Sequence, residues 1–448
     1  MEKFKKREML ETVASLSQVN DTIARNNGLN TETVISALTD CQETAIAIGS
    51  CIEEYYGDCG VAIVHMLETY CEDIYQMSLA VNDTNQCKRL AKKVQKELVD
   101  ISNKIKYNLP DDKKEIVFLP YKASMWDSLE SVWKKVAAEP DCDAYVIPIP
   151  YYDRNPDGTF GTMHYEADEY PDYVPVTSFN DYNIAERRPD EIYIHNPYDE
   201  CNRVTSVHPA FYASELRKYT DMLIYIPYFV AINDNVERHF CTTPGVFYAH
   251  KVIVQSEKTR EIYIEELQKY EKEHDCKGVF GDIKAKIIAG GSPKFDKVME
   301  AKLEDFDVPE EWNRLIENSD GSRKKVLLYN TTIESMLRNT EKMLDKNEDL
   351  LKLFRDKPNV VILWRPHPIL KTTLKSMRSE FFERYEQIEK KYIDGGWGIY
   401  DDTSDMYRAI TLSDAYYGDW SSMVELYKRT GKLIMIQNVN IKEFMEMD

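Results

Sequence analysis

Short apolar runs alternate with helix-length segments along most of this chain, and that alternation constrains the fold more than any other feature. The first series begins at Glu115 with EIVFLPY and continues through DAYVIPIP, DEIYIHNP, DMLIYIPYF and KVIVQS, which ends at Ser256. Strands that are joined by helices run parallel, because each crossover returns the chain to the same end of the sheet. Residues 108–256 are therefore predicted to form a doubly wound, Rossmann-like α/β domain.

A second series of the same kind follows. After a helical stretch from Thr259 to His274 come KAKIIAGG, KKVLLYN, NVVILWRPHP, GIYDD, DAYYGDW and KLIMIQ, the last of which ends near Gln437. This order predicts linker helices over residues 257–284 and a second Rossmann-like domain over residues 285–448. The two sheets are expected to face a common cleft.

Two regions lie outside the alternation. From Thr33 to Tyr56, apolar residues recur at spacings of three and four, which is the seam of a packed helix, and similar stripes run on to Ile105. Residues 1–107 are therefore predicted to be all-helical, and either to pack on the rest of the chain or to mediate homo-oligomerisation. The stretch Tyr151–Tyr182 is rich in Tyr, Asp and Pro without periodicity, and is predicted to be an extended loop or lid over the cleft.

Charge and cysteine content limit the classes of function. The 448 residues carry a formal net charge of −20, which repels phosphate backbones, so nucleic acid is not expected as a partner. The nine cysteines form no C-x-x-C pair and are odd in number, which favours reduced thiols. We find no signal peptide and no apolar run of about eighteen residues. We expect a cytoplasmic protein and leave peripheral attachment at the inner membrane face open.

Distinctive residues follow the strands of the second series, where open α/β sheets bind their ligands. KIIAG is followed by GSPK, in which Gly291 permits close approach of the backbone and Lys294 offers a cation. The segment RPHP ends the strand VVILW. Its prolines restrict the backbone of His367, and Arg365 supplies a planar fork that suits phosphate oxygens.

Two further strand-end segments are rich in hydroxyl and carboxylate groups. In DDTSDMYRA, Asp405 begins a helix and could accept hydrogen bonds from a ribose or a cytosine, although helix capping alone would also explain it. In GDWSSMVE, Asp419 follows a strand, and Ser421 and Ser422 begin a helix whose first free amides form a cradle for an anion.

The order and spacing of these segments resemble the CDP-glycerol glycerophosphotransferase family. The family pattern is G-x-P-[RK]-x-D, a strand that ends near a Thr, R-P-H-P, a D-x-L/Y helix and D-[YW]-S-S, and the resemblance covers about residues 285–437. It implies a GT-B type fold whose C-terminal domain holds the cytidine diphosphate. The residues that it implies around this donor are Gly291, Lys294, Thr332, Arg365, His367, Asp405, Asp419, Ser421 and Ser422. Of these, Arg365 and His367 are expected to take part in catalysis.

The first domain departs from the family pattern. Family members place an H-G-x-P segment there, with a histidine thought to act as base toward the acceptor, whereas the corresponding strand here ends in IPYF at 226–229. His195 in IHNPYD is the substitute that we include among the catalytic residues, and His239 in ERHF is the alternative. Candidates for acceptor binding in the loop PYKASMWDS are Lys122, Ser124 and Asp127.

The resemblance implies an enzyme that moves a glycerol- or ribitol-phosphate unit from a CDP-alditol to a hydroxyl of a glycan or lipid-linked, teichoic-acid-type acceptor, with release of CMP. No cofactor besides this donor substrate is expected, and no essential metal, since no Asp/His cluster has metal-ligand spacing. Two alternatives stay open. One is a glycosyltransferase of the same architecture that uses a nucleotide sugar. The other is a non-catalytic assembly protein with a degenerate acceptor domain, against which the intact RPHP and DWSS segments count.

Overall fold

The computed structural model describes residues 3–25, 30–110, 113–403 and 405–436. Gln437, where the last predicted strand ends, and the remainder of the predicted last domain up to residue 448 lie outside the described residues.

The N-terminal region is a helical bundle, as predicted. The seam residues between Val34 and Ile52 follow spacings of three and four, are at most 6% exposed, and pack against the neighbouring helices. The side chain of Asp83 accepts the amides of Asn85 and Gln86 and thereby begins the last helix. The helices are α1 (Lys3–Arg25), α2 (Thr31–Tyr56), α3 (Val61–Leu79) and α4 (Thr84–Asn108). Among all helices in the described ranges, none is long and apolar enough to cross a membrane.

A parallel sheet follows the bundle. Its strands are β1 (Lys114–Leu119), β2 (Cys142–Val146), β5 (Glu191–Ile194), β7 (Met222–Tyr225), β8 (Lys251–Val254) and β9 (Ile287–Ala289), in the spatial order β2-β1-β5-β7-β8-β9. Its helices are α5 (Glu130–Ala137), α6 (Ile184–Arg187), α7 (Ala213–Leu216), α8 (Pro244–Tyr248), α9 (Glu257–Glu273) and α10 (Ile283–Lys286). The strand order changes direction between β1 and β5, and this switch point opens a crevice at the carboxyl ends of the strands.

The first sheet extends further along the chain than the sequence pattern indicated. The run KIIAG, assigned above to the second series, forms β9 and pairs in parallel with β8, with Val252 opposite Ile287. The predicted boundary at residue 285 therefore falls inside the crossover that joins β8 to β9. A short apolar run after a helix can add to the edge of either sheet, and its periodicity does not distinguish the two.

The stretch 151–182, predicted as a loop or lid, contributes to a small antiparallel sheet. Its strands are β3 (Tyr151–Arg154), β4 (Phe160–His164) and β6 (Thr205–Val207), in the order β4-β3-β6. Tyr151 and Val207 pack into the core of the first domain. These strands are only three to five residues long, too short for a clear alternation of apolar and polar residues.

The second domain is built on another parallel sheet. Its strands are β10 (Lys325–Thr331), β11 (Val360–Pro366), β12 (Ile399–Tyr400), β13 (Ala415–Gly418) and β14 (Leu433–Ile436). Its helices are α11 (Pro293–Glu300), α12 (Glu310–Ile316), α13 (Ile333–Arg338), α14 (Thr340–Arg355), α15 (Leu370–Met377), α16 (Ser379–Gly395), α17 (Met406–Leu412) and α18 (Ser422–Lys428). The spatial order β12-β11-β10-β13-β14 is the Rossmann order 3-2-1-4-5, with its switch point between β10 and β13.

Two Rossmann-like domains follow the helical region along the chain, and this arrangement confirms the predicted GT-B type architecture. The strands of the second sheet are buried on both faces because helices cover both. Val326 and Leu328 pack toward α17 and α18, and Tyr329 and Trp364 pack toward α14 and α16. Helix α11 follows β9 of the first sheet, but its residue Phe295 belongs to the core of the second domain.

Candidate functional site

The carboxyl ends of β10 and β13 approach each other closely at the second switch point. Gly418 lies opposite Asn330, and a Cβ atom on Gly418 would lie 2.3 Å from the carbonyl oxygen of Asn330. The φ angle of Gly418 is 143°, which side-chain-bearing residues rarely adopt. Only glycine therefore fits at this position, and it lets the residues that follow the two strands meet.

Asp419, which follows β13, links the ends of the two strands by hydrogen bonds to Thr332, which follows β10. It is fully buried, and its Oδ2 atom accepts hydrogen bonds from the amide of Thr332 at 2.9 Å and from the Thr332 hydroxyl at 3.3 Å. Lys346 approaches the other carboxylate oxygen at 3.6 Å, and burial keeps the pKa of Lys346 below its ordinary value although Asp419 opposes that shift. Asp419 thus shapes the site by fixing Thr332.

The serines that follow Asp419 lie beside the end of β10. The hydroxyl oxygen of Ser421 accepts a hydrogen bond from the side-chain amide of Asn330 at 3.2 Å and does not cap α18. Ser422 is exposed in the first turn of that helix. The structure therefore brings Thr332, Ser421 and Ser422 to one edge, and their contact with a diphosphate stays a prediction.

His367 is exposed at the end of β11, beside β10. Its backbone amide donates to the carbonyl of Thr331 at 3.0 Å, and its Nδ1 atom accepts the amide of Ile369 at 3.4 Å. Partial burial, and then the charge of Arg365, lower the pKa of His367 below 6.5, so the ring is neutral at pH 7 with its proton on Nε2. Nε2 has no hydrogen-bond partner among the described residues, which leaves it able to donate to a ligand.

Arg365 is already paired within the second domain, and its contact with a phosphate stays a prediction. Its side chain is 4% exposed, and its guanidinium donates to Asp401 at 2.5 Å and to the carbonyl of Thr403 at 2.7 Å. Asp401 is fully buried and also accepts a hydrogen bond from Arg408 at 3.3 Å. The guanidinium that was expected to bind phosphate therefore holds the loop that follows β12, because a buried carboxylate must be paired.

Asp405 caps α17. Its Oδ1 atom accepts the amides of Tyr407 at 3.0 Å and Arg408 at 3.3 Å. The capping explanation considered above applies, and a contact with ribose or cytosine stays a prediction.

Lys294 and Gly291 lie apart from this edge, between the two domains. The ammonium of Lys294 contacts both carboxylate oxygens of Asp127, at 2.7 and 2.6 Å, and Lys294 is only 9% exposed. Gly291 has a φ angle of 94° where the chain leaves β9. The predicted role of Lys294 as a free cation for the diphosphate does not fit this geometry, because the cation is already neutralised by a residue of the first domain.

His195 is fully buried at the switch point of the first sheet. Its Nε2 atom accepts the amide of Tyr121 at 3.0 Å, and its Nδ1 atom lies 2.8 Å from the hydroxyl of Ser128, which donates to the carbonyl of Met125. Burial lowers the pKa of His195 to about 3. With both ring nitrogens occupied and no access for a substrate, His195 is placed as a structural residue rather than as the expected catalytic one.

The other acceptor-side candidates are dispersed. The ammonium of Lys122 lies over the rings of Tyr121 and Tyr151, at 5.5 and 5.0 Å from their centroids. Ser124 is exposed in the same turn, and His239 is exposed on another loop with its Nδ1 atom 3.4 Å from Glu237. Neither Ser124 nor His239 is thereby tested as a contact for an acceptor.

The structure adds residues that the sequence did not single out: Asn330, Lys346, Asp401 and Tyr407. Asn330 had a signal, because it is a polar residue in the apolar strand KVLLYNT. Lys346 and Tyr407 lie on helices, and only the packing of those helices brings them to Asp419 and Asp127.

No group of three or more potential metal ligands occurs within the ranges that the structure describes. The side chains at the edge are hydroxyl, amide and imidazole groups, which suit hydrogen bonding to an anion.

A comparison with models of known families tests the resemblance to the glycerophosphotransferases. Residues 251–441 match the family model described as CDP-glycerol:poly(glycerophosphate) glycerophosphotransferase. The predicted resemblance to this family is confirmed. The match includes the whole described strand-end site of the second domain, and it starts at β8, before the predicted limit of residue 285. Over these residues the chain is therefore similar to the CDP-glycerol glycerophosphotransferases.

Solved structures of similar shape share little sequence with the chain. A putative UDP-N-acetylglucosamine 2-epimerase from Listeria monocytogenes is 11% identical, with 74% of this chain and 82% of that chain covered and a TM-score of 0.42. The wall teichoic acid polymerase TagF is 15% identical, with 84% and 81% covered and a TM-score of 0.37. A UDP-forming trehalose-phosphate synthase from Burkholderia xenovorans is 10% identical, with 72% and 88% covered and a TM-score of 0.37. No curated protein sequence matches the chain.

Proposed function

We propose that the protein transfers an alditol phosphate, glycerol phosphate or ribitol phosphate, from a CDP-alditol to a hydroxyl of a cell-surface glycan or teichoic-acid-type acceptor. In this reaction the acceptor oxygen attacks the β-phosphorus, the bond from that phosphorus to the bridging oxygen breaks, and CMP leaves with the electron pair. The hydroxyl proton passes to a base. The protein's task is to hold the diphosphate and to offset the charge that develops on it.

The observation that carries this proposal is the unpaired Nε2–H of His367 at the carboxyl edge of the second sheet. His367 lies one strand away from the switch point, where nucleotides bind in Rossmann-like domains. A neutral imidazole donor beside the leaving phosphate gains strength as negative charge builds on CMP, so it stabilises the transition state more than the bound donor. The family match over the same residues supports this assignment.

Around the neutral His367, the described residues offer further neutral hydrogen-bond donors. The hydroxyl of Ser422, together with the first amides of α18, can donate to diphosphate oxygens, whereas the hydroxyl of Thr332 already donates to Asp419. Ser421 is positioned for the same edge by its hydrogen bond with Asn330. The charge of Arg365 helps to lower the pKa of His367, and Arg365 is itself paired with the buried Asp401.

The test begins with the donor. Thermal unfolding is measured with CDP-glycerol, CDP-ribitol, UDP-sugars and CMP-sugars, because a ligand that binds the folded protein raises its transition temperature. We expect a CDP-alditol to give the largest shift. A larger shift with a UDP-sugar would identify a glycosyltransferase and contradict the proposal.

The second step tests His367 by release of CMP. For His367→Ala we expect turnover to fall about a hundredfold while the KM for the donor changes little, since loss of one transition-state donor costs about 2.7–4 kcal/mol. The matched control is His65→Ala, which removes an exposed histidine of the helical bundle. Normal turnover in a folded His367→Ala protein would remove the histidine from the mechanism.

A further inference from the structure

The two domains are joined by a buried three-residue cluster. Asp127 of the first domain accepts hydrogen bonds from Lys294 on α11 at 2.7 and 2.6 Å and from the hydroxyl of Tyr407 on α17 at 2.6 Å. All three residues are at most 9% exposed. Burial, and then the charge of Asp127, raise the pKa of Tyr407 above its ordinary value, so its hydroxyl keeps the proton that it donates. The cluster has one negative and one positive charge and is neutral as a whole.

Asp127 belongs to a turn that is itself fixed to the first switch point. The 3₁₀ turn Ala123–Ser128 follows β1, and the hydroxyl of Ser128 lies 2.8 Å from the ring of His195 at the end of β5. Ser128 thus faces into the first domain, while the adjacent Asp127 faces the second. In this arrangement the buried, neutral His195 has a structural role, because it holds the turn that presents Asp127 to the second domain.

From Tyr407 a short path of contacts leads to His367. Tyr407 lies in the first turn of α17, whose start is capped by Asp405. The loop before that cap is held by Arg365 through Asp401 and the carbonyl of Thr403. Arg365 is two residues before His367 on the same strand end. A contact between Tyr407 and the first domain therefore also sets where His367 lies relative to that domain.

The chain passes from the first domain to the second through a pair of glycines. Between β9 and α11 it crosses through Gly290 and Gly291, the latter with a φ angle of 94°. Beside the Asp127 cluster, Glu130 pairs with Lys297 at 2.8 Å and Ser131 donates to Asp296 at 2.8 Å, and both contacts join α5 to α11. A glycine pair next to a polar, hydrogen-bonded interface is an arrangement that permits domain closure.

We propose that Asp127 is a positioning residue for the transfer reaction: by binding Lys294 and Tyr407 together, it closes the second domain, and with it His367, against the switch point of the first sheet. This role for turnover rests on the proposed function, whereas the closure itself can be measured without any substrate. Asp127 was a candidate for acceptor binding from sequence, and Lys294 a candidate for donor binding. Their mutual contact assigns both to the interface instead.

The experiment compares Asp127→Asn, which removes the charge at constant size, with the unaltered protein. Small-angle X-ray scattering measures the radius of gyration, and release of CMP from the preferred CDP-alditol gives kcat and KM. We expect a larger radius of gyration and a kcat lower by about tenfold to a hundredfold, since a displacement of about 1 Å has effects of that size. The KM for the donor should stay within about twofold, because the donor site of the second domain remains intact.

Two further variants keep the outcome decisive. Tyr407→Phe removes one hydrogen bond and leaves the ion pair, so it should lower kcat less than Asp127→Asn does, and it replaces that variant if the latter does not fold. Asp143→Asn is the control, because it removes a partly exposed pair with Lys113 in the same domain.

Unchanged scattering and unchanged kcat in both cluster variants would overturn the proposal. A loss of donor affinity with unchanged scattering would also overturn it, and would place Asp127 at the donor. If no CDP-alditol binds even the unaltered protein, the proposed reaction fails, while the scattering comparison still decides whether Asp127 closes the domains.

Discussion

Substitution of Arg365 should destabilise the second domain rather than simply remove a contact with the donor. In Arg365→Leu, the fully buried carboxylate of Asp401 loses its partner at 2.5 Å, and the carbonyl of Thr403 loses its donor at 2.7 Å. Among the described residues, Asp401 keeps a charged contact with Arg408 at 3.3 Å and hydrogen bonds from Thr403. Removal of one partner from a buried ion pair costs about 3–5 kcal/mol.

The expected magnitude can be converted to a measurable shift. For a domain of about 150 residues, each kcal/mol lowers the transition temperature by about 2–4 °C, so the midpoint should fall by about 10 °C in calorimetry. The double variant Arg365→Leu with Asp401→Asn should recover a large part of that loss, because it leaves no unpaired carboxylate.

The control is Arg384→Met. The pairs of Arg384 with Asp345 and Glu348 are partly exposed, so its loss should cost no more than about 1 kcal/mol. The reasoning is refuted if Arg365→Leu melts like this control but no longer binds CDP, since the guanidinium would then act on the donor directly.

Three other outcomes follow from the geometry. Gly418→Ala should lower the free energy of unfolding by about 2 kcal/mol or more, because its Cβ atom would lie 2.3 Å from the carbonyl oxygen of Asn330. Gly291→Ala has open space around it and should cost about 1 kcal/mol from backbone strain alone. Urea unfolding of the two variants compares these losses. The pKa of His195 is about 3 in the folded protein against an ordinary 6.5, so between these values the unfolded chain binds one more proton and stability rises with pH. In His195→Gln, the free energy of unfolding in urea should depend less steeply on pH. An unchanged slope would contradict the burial argument. If α1–α4 mediate self-association, light scattering should show fewer copies per particle for a chain that starts at Asn108 than for the full chain. An equal number of copies would refute that role.

Much of the fold could be predicted because its signals are local. A strand such as VVILW is an apolar run of fixed length, and the parallel arrangement follows from the helices between such runs. The strand-end positions of His367, Thr332 and Ser421 were also predictable, since the end of a strand fixes the edge on which the next residues lie.

The partners of the charged residues were not predictable, because they come from distant parts of the chain. Arg365 was expected to bind phosphate, but Asp401, thirty-six positions later, takes its guanidinium. Lys294 pairs with Asp127, 167 positions earlier. Residue type indicates what a side chain can bind, whereas burial and long-range packing decide what it does bind.

The position of β9 determines how this protein can be divided. The segment that matches the family, residues 251–441, begins with β8 and β9, which are the last two strands of the first sheet. A fragment with these limits would carry two strands without the sheet that they complete, and their open edge would favour aggregation. A first-domain fragment that stops at residue 284 would lack its edge strand in turn. A cut between Gly290 and Gly291 leaves both sheets whole, so domain exchange with related proteins should use the glycine pair as its junction rather than the limits of sequence similarity.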